Sequence, residues 1–176
     1  MPDADAADLR LYAILRSDIR MSDGKAHAQS GHAYTDALLH ALLHDDPRAR
    51  AYARLRPGTK VCLNGGSHAD MLRLLDRLAA TPLPHVRIID SGHVEPPDFD
   101  GSPVLTAVGI GPIRRAEAPP FLKRLPLWTR PAGPEGVPDR AAPVRIRAET
   151  FVDARDHRRP LLTSSMSTRQ PQKGTP

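Results

Sequence analysis

Short apolar segments alternate with longer polar ones over about the first 112 residues, and this pattern predicts alternating strands and helices. Four segments rich in aliphatic and β-branched residues predict strands over 9–16, 59–63, 85–90 and 104–110. Between the first two, small residues recur at spacings of seven and four, at Ala26, Ala33, Ala37 and Ala41. This spacing predicts one long helix over 25–44, whose narrow face packs closely on a sheet.

Two shorter helices complete the pattern. Asp45, Asp46 and Pro47 end the long helix and begin a short one that reaches about residue 56. Ser67 is placed to cap a helix over 67–80. The resulting order predicts an α/β fold, in which helical connections give parallel pairing and the last strand makes the sheet mixed.

Composition divides the chain into four parts. Its 176 residues suffice for one domain with a substantial core. We expect an acidic arm over 1–8, an α/β domain over 9–113 and a basic, proline-rich extension over 114–162, with one short strand or helix near 145–153. The last segment, 163–176, has too few apolar residues to offset the entropy of ordering, which predicts a disordered tail.

Cysteine content and hydropathy exclude several classes of protein. The single cysteine, Cys62, excludes a disulfide framework and a four-cysteine zinc site. The longest apolar runs are under ten residues, too short to span a bilayer, and the acidic start is unlike a signal peptide. We therefore expect a cytoplasmic protein that does not act at membranes.

Positive charge is concentrated in the C-terminal third. The net charge is +5, yet residues 1–112 carry 12 basic and 14 acidic side chains, whereas residues 113–160 carry 11 basic and 6 acidic ones. Such a region suits a polyanionic partner such as RNA. A solvated surface rich in arginine explains the same counts, so charge alone leaves both interpretations open.

The first candidate chemistry lies at the start of the long helix. On a helix that begins near Lys25, the side chains of Lys25, Gln29 and His32 form one polar stripe. The N-terminus of a helix has free N–H groups and a partial positive charge, to which Lys25 adds a full one. This stripe could hold a phosphate or stabilise an oxyanion; alternatively, it simply faces solvent.

Two further candidates lie in the predicted strands. Asp90 ends the third strand and precedes a tight turn at Gly92. Because open α/β sheets bind ligands at the carboxyl ends of parallel strands, this carboxylate could take a proton from water or orient a hydroxyl. It could equally cap its own turn. Thr106 lies within the fourth strand, where threonine is ordinary.

Other patterns have simpler explanations. His40 and His44 have the i,i+4 spacing of metal ligands but lack a carboxylate motif beside them, so we expect no metal site. Residues 64–67, Asn-Gly-Gly-Ser, resemble a phosphate-binding loop without its Gly-Lys-Ser/Thr ending, and a loop with a helix cap explains them. Cys62 lies inside a strand and is typical of a small core residue.

Three motifs resemble those of the type II peptidyl-tRNA hydrolases, a family typical of archaea and eukaryotes. The first, Arg-x-Asp-Leu-x-Met-x-x-Gly-Lys-x-x-x-Gln-x-x-His-Ala, is matched, with Ile19 for leucine, by Arg16, Asp18, Met21, Gly24, Lys25, Gln29, His32 and Ala33. The second, Asp-Ala-Gly-Arg-Thr, is matched by Asp90 and Gly92 only. The third, Thr-Val-Leu-Ala-Ile-Gly-Pro, is matched by Thr106, Ile110, Gly111 and Pro112.

This resemblance implies a mixed four-stranded sheet with helices on both faces. It also implies hydrolysis, without a metal or another cofactor, of the ester between a peptide and the 3′ ribose of tRNA. The matching positions imply catalytic roles for Lys25, Asp90 and Thr106, with the threonine hydroxyl placing water or ribose. Gly24, Gln29, His32 and the non-matching His93 are then expected to contact the substrate.

The chain also departs from the family pattern. His93 and Val94 replace the arginine and threonine of the second motif, and the loop that follows is lengthened and acidic. Valine cannot form a hydrogen bond, which favours the alternative of a non-catalytic relative that binds RNA or protein through the same surface. Retention of the other motif residues favours the enzyme: Lys25, Gln29, His32, Asp90 and Thr106. The oligomeric state is open, with a homodimer as one form.

Overall fold

The computed structural model describes residues 8–55 and 57–129, whose elements follow the predicted order. The four main strands and three main helices expected from the sequence are all present. In chain order the elements are β1 (Leu9–Leu15), α1 (Asp23–Leu43), α2 (Pro47–Ala53), β2 (Thr59–Asn64), α3 (His68–Ala79), β3 (His85–Asp90), β4 (Val94–Glu95), β5 (Phe99–Asp100), β6 (Val104–Arg114) and α4 (Pro120–Lys123).

Some boundaries differ from the prediction for local reasons. Helix α1 begins two residues early because the Ser22 side chain accepts a hydrogen bond from the backbone N–H of Lys25 and so caps it. Strand β6 continues past Gly111 because this glycine adopts a φ of 103° and a register shift absorbs the irregularity. The expected loop over 91–103 contains the hairpin β4–β5.

The main sheet has the strand order β2-β1-β6-β3 and is mixed. Strand β1 pairs in parallel with β2, whereas β6 is antiparallel to both of its neighbours, β1 and β3. The first three strands therefore run in one direction and end at the same edge of the sheet. Asp90, the last residue of β3, lies at that edge.

Helices cover both faces of the sheet, as the family resemblance implied. Ala33, Ala37 and Ala41 of α1 are completely buried on one face. Their small side chains let the helix approach so closely that a Cβ atom at Gly109 of β6 would lie 2.1 Å from the carbonyl oxygen of Ala33. On the other face, α3 packs through Met71, Leu74 and Leu78.

Residues that follow β6 also pack on the sheet. Ala118 and Leu122 are buried in the core on the α3 side. The backbone N–H of Trp128 donates to the carbonyl of Cys62, and Leu127 forms an isolated antiparallel bridge with Leu63. The chain from 126 to 128 therefore lies along the outer edge of β2.

The rest of the proline-rich extension, the element expected near 145–153, the tail 163–176 and residues 1–7 of the acidic arm lie outside the described residues. The four-part division of the chain stays a prediction. Within the described ranges, no helix is long and apolar enough to cross a membrane.

Candidate active site

The core of the candidate site is an ion pair between α1 and β3. Lys25 lies in the first turn of α1, and its Nζ is 2.7 Å from Oδ2 of Asp90 at the end of β3. The two side chains are only 6% and 16% exposed. The alternative in which Lys25 faces solvent is therefore wrong. The Asp90 carboxylate bonds to side chains of α1, and no hydrogen bond to its own turn is found among the described residues.

Gln29 lies one turn after Lys25 and extends this pair into the sheet. Its Nε2 donates to Oδ1 of Asp90 at 3.2 Å, and its Oε1 accepts a hydrogen bond of 2.6 Å from the hydroxyl of Thr106. Both ends of the amide are thus engaged. This fixes its orientation, with nitrogen toward the carboxylate and oxygen toward the threonine.

A bulge in β6 places Thr106 in this network. Ile88 of β3 pairs with Ala107 and Ile89 pairs with Leu105, so Thr106 is an extra residue on β6. Leu105 belongs to the core on the α3 side, whereas Ala107 packs on the α1 side. The bulge turns the Thr106 hydroxyl toward Gln29 on α1.

Thr106 is fully buried in this network. Its exposed fraction is 0%, and its hydroxyl lies 2.6 Å from Oε1 of Gln29 and 3.3 Å from the Ile88 carbonyl. In this structure the hydroxyl is engaged by groups of the protein. Gln29, which is itself 4% exposed, connects it to Asp90 through hydrogen bonds.

The hairpin β4–β5 contributes a residue that the sequence analysis missed. Phe99 is 1% exposed, and its ring centroid lies 4.2 Å from Nζ of Lys25. A lone phenylalanine in a loop of proline, glycine and aspartate was the available signal. Its partner could not be inferred, because 74 positions of the printed sequence separate it from Lys25.

Comparison with known proteins places this chain in a family. Residues 9–128 match the family model described as Peptidyl-tRNA hydrolase PTH2. The chain belongs to the PTH2 family. The matched range ends at Trp128, the residue whose N–H bonds to β2, so the segment that packs after β6 lies within the family match.

Archaeal peptidyl-tRNA hydrolases are similar over most of their own length. The protein of Methanococcus vannielii is 35% identical over 116 residues, which make up 65% of this chain and 94% of the relative. That of Methanocaldococcus jannaschii is 35% identical over 107 residues, which make up 59% of this chain and 86% of the relative. That of Pyrobaculum aerophilum is 33% identical over 106 residues, which make up 60% of this chain and 85% of the relative.

Two residues expected to bind the substrate lie beside the candidate site. His32 is exposed on α1 and lines a groove of about 440 Å³ together with Gln29 and Asp90. Gly24 is exposed in the first turn of α1, and a Cβ atom there would meet nothing within 4 Å. Both positions are open to a bound molecule.

The residues that depart from the PTH2 motif lie on the hairpin side. Nε2 of His93 is 3.4 Å from Oε2 of Glu95, and its ring meets Phe99 edge-on at a centroid distance of 6.0 Å. Val94 is 65% exposed. The hydrogen bonds that join Lys25, Asp90, Gln29 and Thr106 do not involve position 94.

Two other residues of the first motif hold the loop before α1. Arg16 is buried; it pairs with Asp18 at 2.8 Å and donates to the Leu105 carbonyl at 3.2 Å. Asp18 also accepts a hydrogen bond from the backbone N–H of His68, at the start of α3. Burial raises the pKa of Asp18, but the hydrogen bonds from Arg16 and His68 outweigh it, and the pKa is lowered overall.

The remaining alternatives gain no support from the geometry. The rings of His40 and His44 lie 4.1 Å apart near the far end of α1, and the described residues contain no cluster of three potential metal ligands. In the Asn-Gly-Gly-Ser loop, Ser67 and Asp70 form a capping box that occupies donors at the start of α3. Burial raises the pKa of the Cys62 thiol, which disfavours the nucleophilic thiolate.

Proposed function

We propose that this chain hydrolyses the ester bond between the peptide and the 3′ ribose of peptidyl-tRNA, with Lys25 and Asp90 in contact with the reacting atoms. The observation that carries the proposal is the buried Lys25–Asp90 pair at 2.7 Å, at the carboxyl edge of the sheet in a PTH2 chain. Family membership supports the reaction. The geometry supports the assignment of roles.

Asp90 is suited to activate water. One carboxylate oxygen accepts from Lys25 and the other from Gln29, and each oxygen retains a lone pair for a further donor. We assign to Asp90 the acceptance of a proton from the water that attacks the ester carbonyl. The same proton then returns to the 3′ oxygen of the ribose when the tetrahedral intermediate collapses, so no other acid is needed.

Lys25 is suited to stabilise the oxyanion of that intermediate. Its ammonium group has three N–H bonds: one points to Asp90, and the Phe99 ring covers another side. Among the described residues, Nζ makes no hydrogen bond other than the one to Asp90. A donor held ready in a partly dry site stabilises developing negative charge far better than one in water.

Gln29 and Thr106 position the Asp90 carboxylate. The chain of hydrogen bonds runs from the Thr106 hydroxyl through the Gln29 amide to Asp90, so the carboxylate has one preferred orientation. We propose direct substrate contacts for Gly24, His32 and His93, which border the pair and are exposed.

The tRNA part of the substrate requires a basic surface and a compartment that contains tRNA. Arg115, Lys123 and Arg124 are exposed at the start of the basic extension, and we propose them as phosphate contacts. We also propose that the reaction takes place in the cytoplasm, where translation releases its substrate. A homodimer is the oligomeric form to test by light scattering.

The experiment is release of the blocked amino acid from purified N-acetyl-aminoacyl-tRNA. We expect turnover by the full chain, lost in Lys25→Ala and Asp90→Asn. Lys60→Ala and Asp76→Asn are matched controls, because both residues are exposed and neither contacts the site. Absence of turnover by the unmodified chain, with tRNA binding retained, would favour the non-catalytic alternative.

A further inference from the structure

We propose that Phe99 is a positioning residue of this site, whose ring holds the Lys25 ammonium beside Asp90. The inference rests on the proposed function of Lys25. The hairpin β4–β5 then contributes to the reaction through Phe99, which does not contact the substrate.

The geometry of the ring and the ammonium is that of a cation–π contact. Nζ of Lys25 lies 4.2 Å from the ring centroid of Phe99, well inside the distance at which an ammonium is attracted to an aromatic face. The ring is 1% exposed and the lysine side chain 6%, so little water competes for the charge. Both conditions strengthen the contact.

Two carboxylates fasten the hairpin to the loop that leads into α1. Oε1 of Glu95 accepts a hydrogen bond of 3.2 Å from the backbone N–H of Ser22, and Oδ2 of Asp98 accepts one of 2.8 Å from that of Arg20. Phe99 pairs with Glu95 in the hairpin. The ring is therefore tied to the segment that carries Lys25, and the acidic residues of this loop have a structural use.

Lys25 requires such support because its side chain is long and flexible. A lysine ammonium can leave an exposed carboxylate at little cost, since ion pairs in water are weak. The ring prevents the ammonium group from moving to one side and excludes water there, while Asp90 holds the group by a hydrogen bond. What remains is one orientation in which the third N–H is available to an oxyanion.

Substitutions at position 99 separate this role from simple packing. Phe99→Tyr and Phe99→Trp keep an aromatic face, whereas Phe99→Leu and Phe99→Met keep an apolar side chain without one. We expect kcat to fall about 3- to 30-fold in the leucine and methionine variants, with KM within about twofold of the parent. The tyrosine variant should retain about half of kcat or more. Thermal unfolding midpoints are measured for all four variants.

A packing role predicts a different order. The tyrosine variant buries a hydroxyl, so packing alone would make it the poorer replacement and kcat would follow the unfolding midpoint. Parental kcat in the leucine and methionine variants, or activities that only follow stability, would overturn the inference.

A double-mutant cycle tests whether Phe99 acts through Lys25. Phe99→Leu should lower kcat in the parent but not further in Lys25→Ala. If the two residues acted independently, their fold-reductions in kcat would multiply.

A second test keeps the ring and weakens its attachment. The double variant Glu95→Gln with Asp98→Asn should also lower kcat. A parental kcat in this variant would overturn the inference. Full activity in Lys25→Ala would instead remove the proposed function, so the two failures are distinguishable.

Discussion

The hydroxyl of Thr106 lies 2.6 Å from Oε1 of Gln29, and this contact exists because a bulge gives β6 one more residue than β3 has opposite it. In a regular strand, Leu105 and Ala107 would lie on one face of the sheet and Thr106 on the other. Here Leu105 packs on the α3 side and Ala107 on the α1 side. The bulge breaks that alternation, as bulges beside active sites do. A single extra residue thus connects the sheet to the carboxylate that we propose as the base.

Removing the Thr106 hydroxyl should loosen the Asp90 carboxylate. In Thr106→Val, the shape is kept while the buried oxygen of Gln29 loses its donor, which costs roughly 1–3 kcal/mol of stability. We expect kcat to fall about tenfold with little change in KM, since we propose that Thr106 positions Asp90 rather than contacts the substrate. Denaturant unfolding and steady-state kinetics measure the two effects.

The control for this change is Thr106→Ser, which retains the donor. It should keep most of the activity and lose less stability than the valine variant. Equal activity in the valine and serine variants would show that the hydrogen bond to Gln29 has no part in catalysis.

Loss of either member of the central pair should be severe. Lys25→Ala removes the donor for the oxyanion and Asp90→Asn removes the proton acceptor, and each should lower kcat roughly 10²–10³-fold. Each variant also leaves a buried charge without its partner, so the free energy of unfolding should be measured alongside turnover. A variant that folds normally and turns over at the parental rate would place the chemistry on other residues.

The Arg16–Asp18 pair should make stability depend on pH in the acid range. The pKa of Asp18 is lowered in the folded protein, so its contribution is present above the ordinary value of 3.8 and is lost as the pH falls from there through the folded pKa. The free energy of unfolding should therefore fall in that window. Asp18→Asn should show a smaller fall between pH 6 and pH 3 in urea titrations, and an unchanged pH dependence would contradict the assignment.

The segment after β6 should contribute to stability as part of the domain. Leu122 is 1% exposed in the core, so Leu122→Ala should lower the free energy of unfolding by about 2–5 kcal/mol. Leu127, five residues later, is 69% exposed, and Leu127→Ala should cost less than about 0.5 kcal/mol. Thermal or urea unfolding compares them directly, and equal costs would mean that Leu122 is not in the core.

Local sequence patterns predicted the four main strands and three main helices of this fold because each is determined by nearby residues. The alanine spacing in α1 and the Ser67 cap of α3 are read within a few positions. The stripe of Lys25 and Gln29 and the place of Asp90 at a strand end follow from the same local rules. The role expected for the fourth member, Thr106, came from the family motif.

Contacts between distant segments were beyond such patterns. The bulge at Thr106 is a difference of one residue between two strands, and neither strand shows it alone. The burial of Phe99 over Lys25 and the bridge between Leu63 and Leu127 bring together residues that no periodicity relates. In each case the missing information is which surfaces meet in three dimensions.

The absent side chain of Gly109 sets the spacing of the whole site. A methyl group there would lie 2.1 Å from the Ala33 carbonyl oxygen, so α1 would have to move outward by more than about 1 Å to restore ordinary contact. Gln29 lies one turn before Ala33 on the same helix and would move with it, away from Asp90 and Thr106. A misplacement of about 1 Å can lower a catalytic rate about 10²-fold. The lack of a side chain in the middle of β6 therefore determines the hydrogen-bond distances at the edge of the sheet.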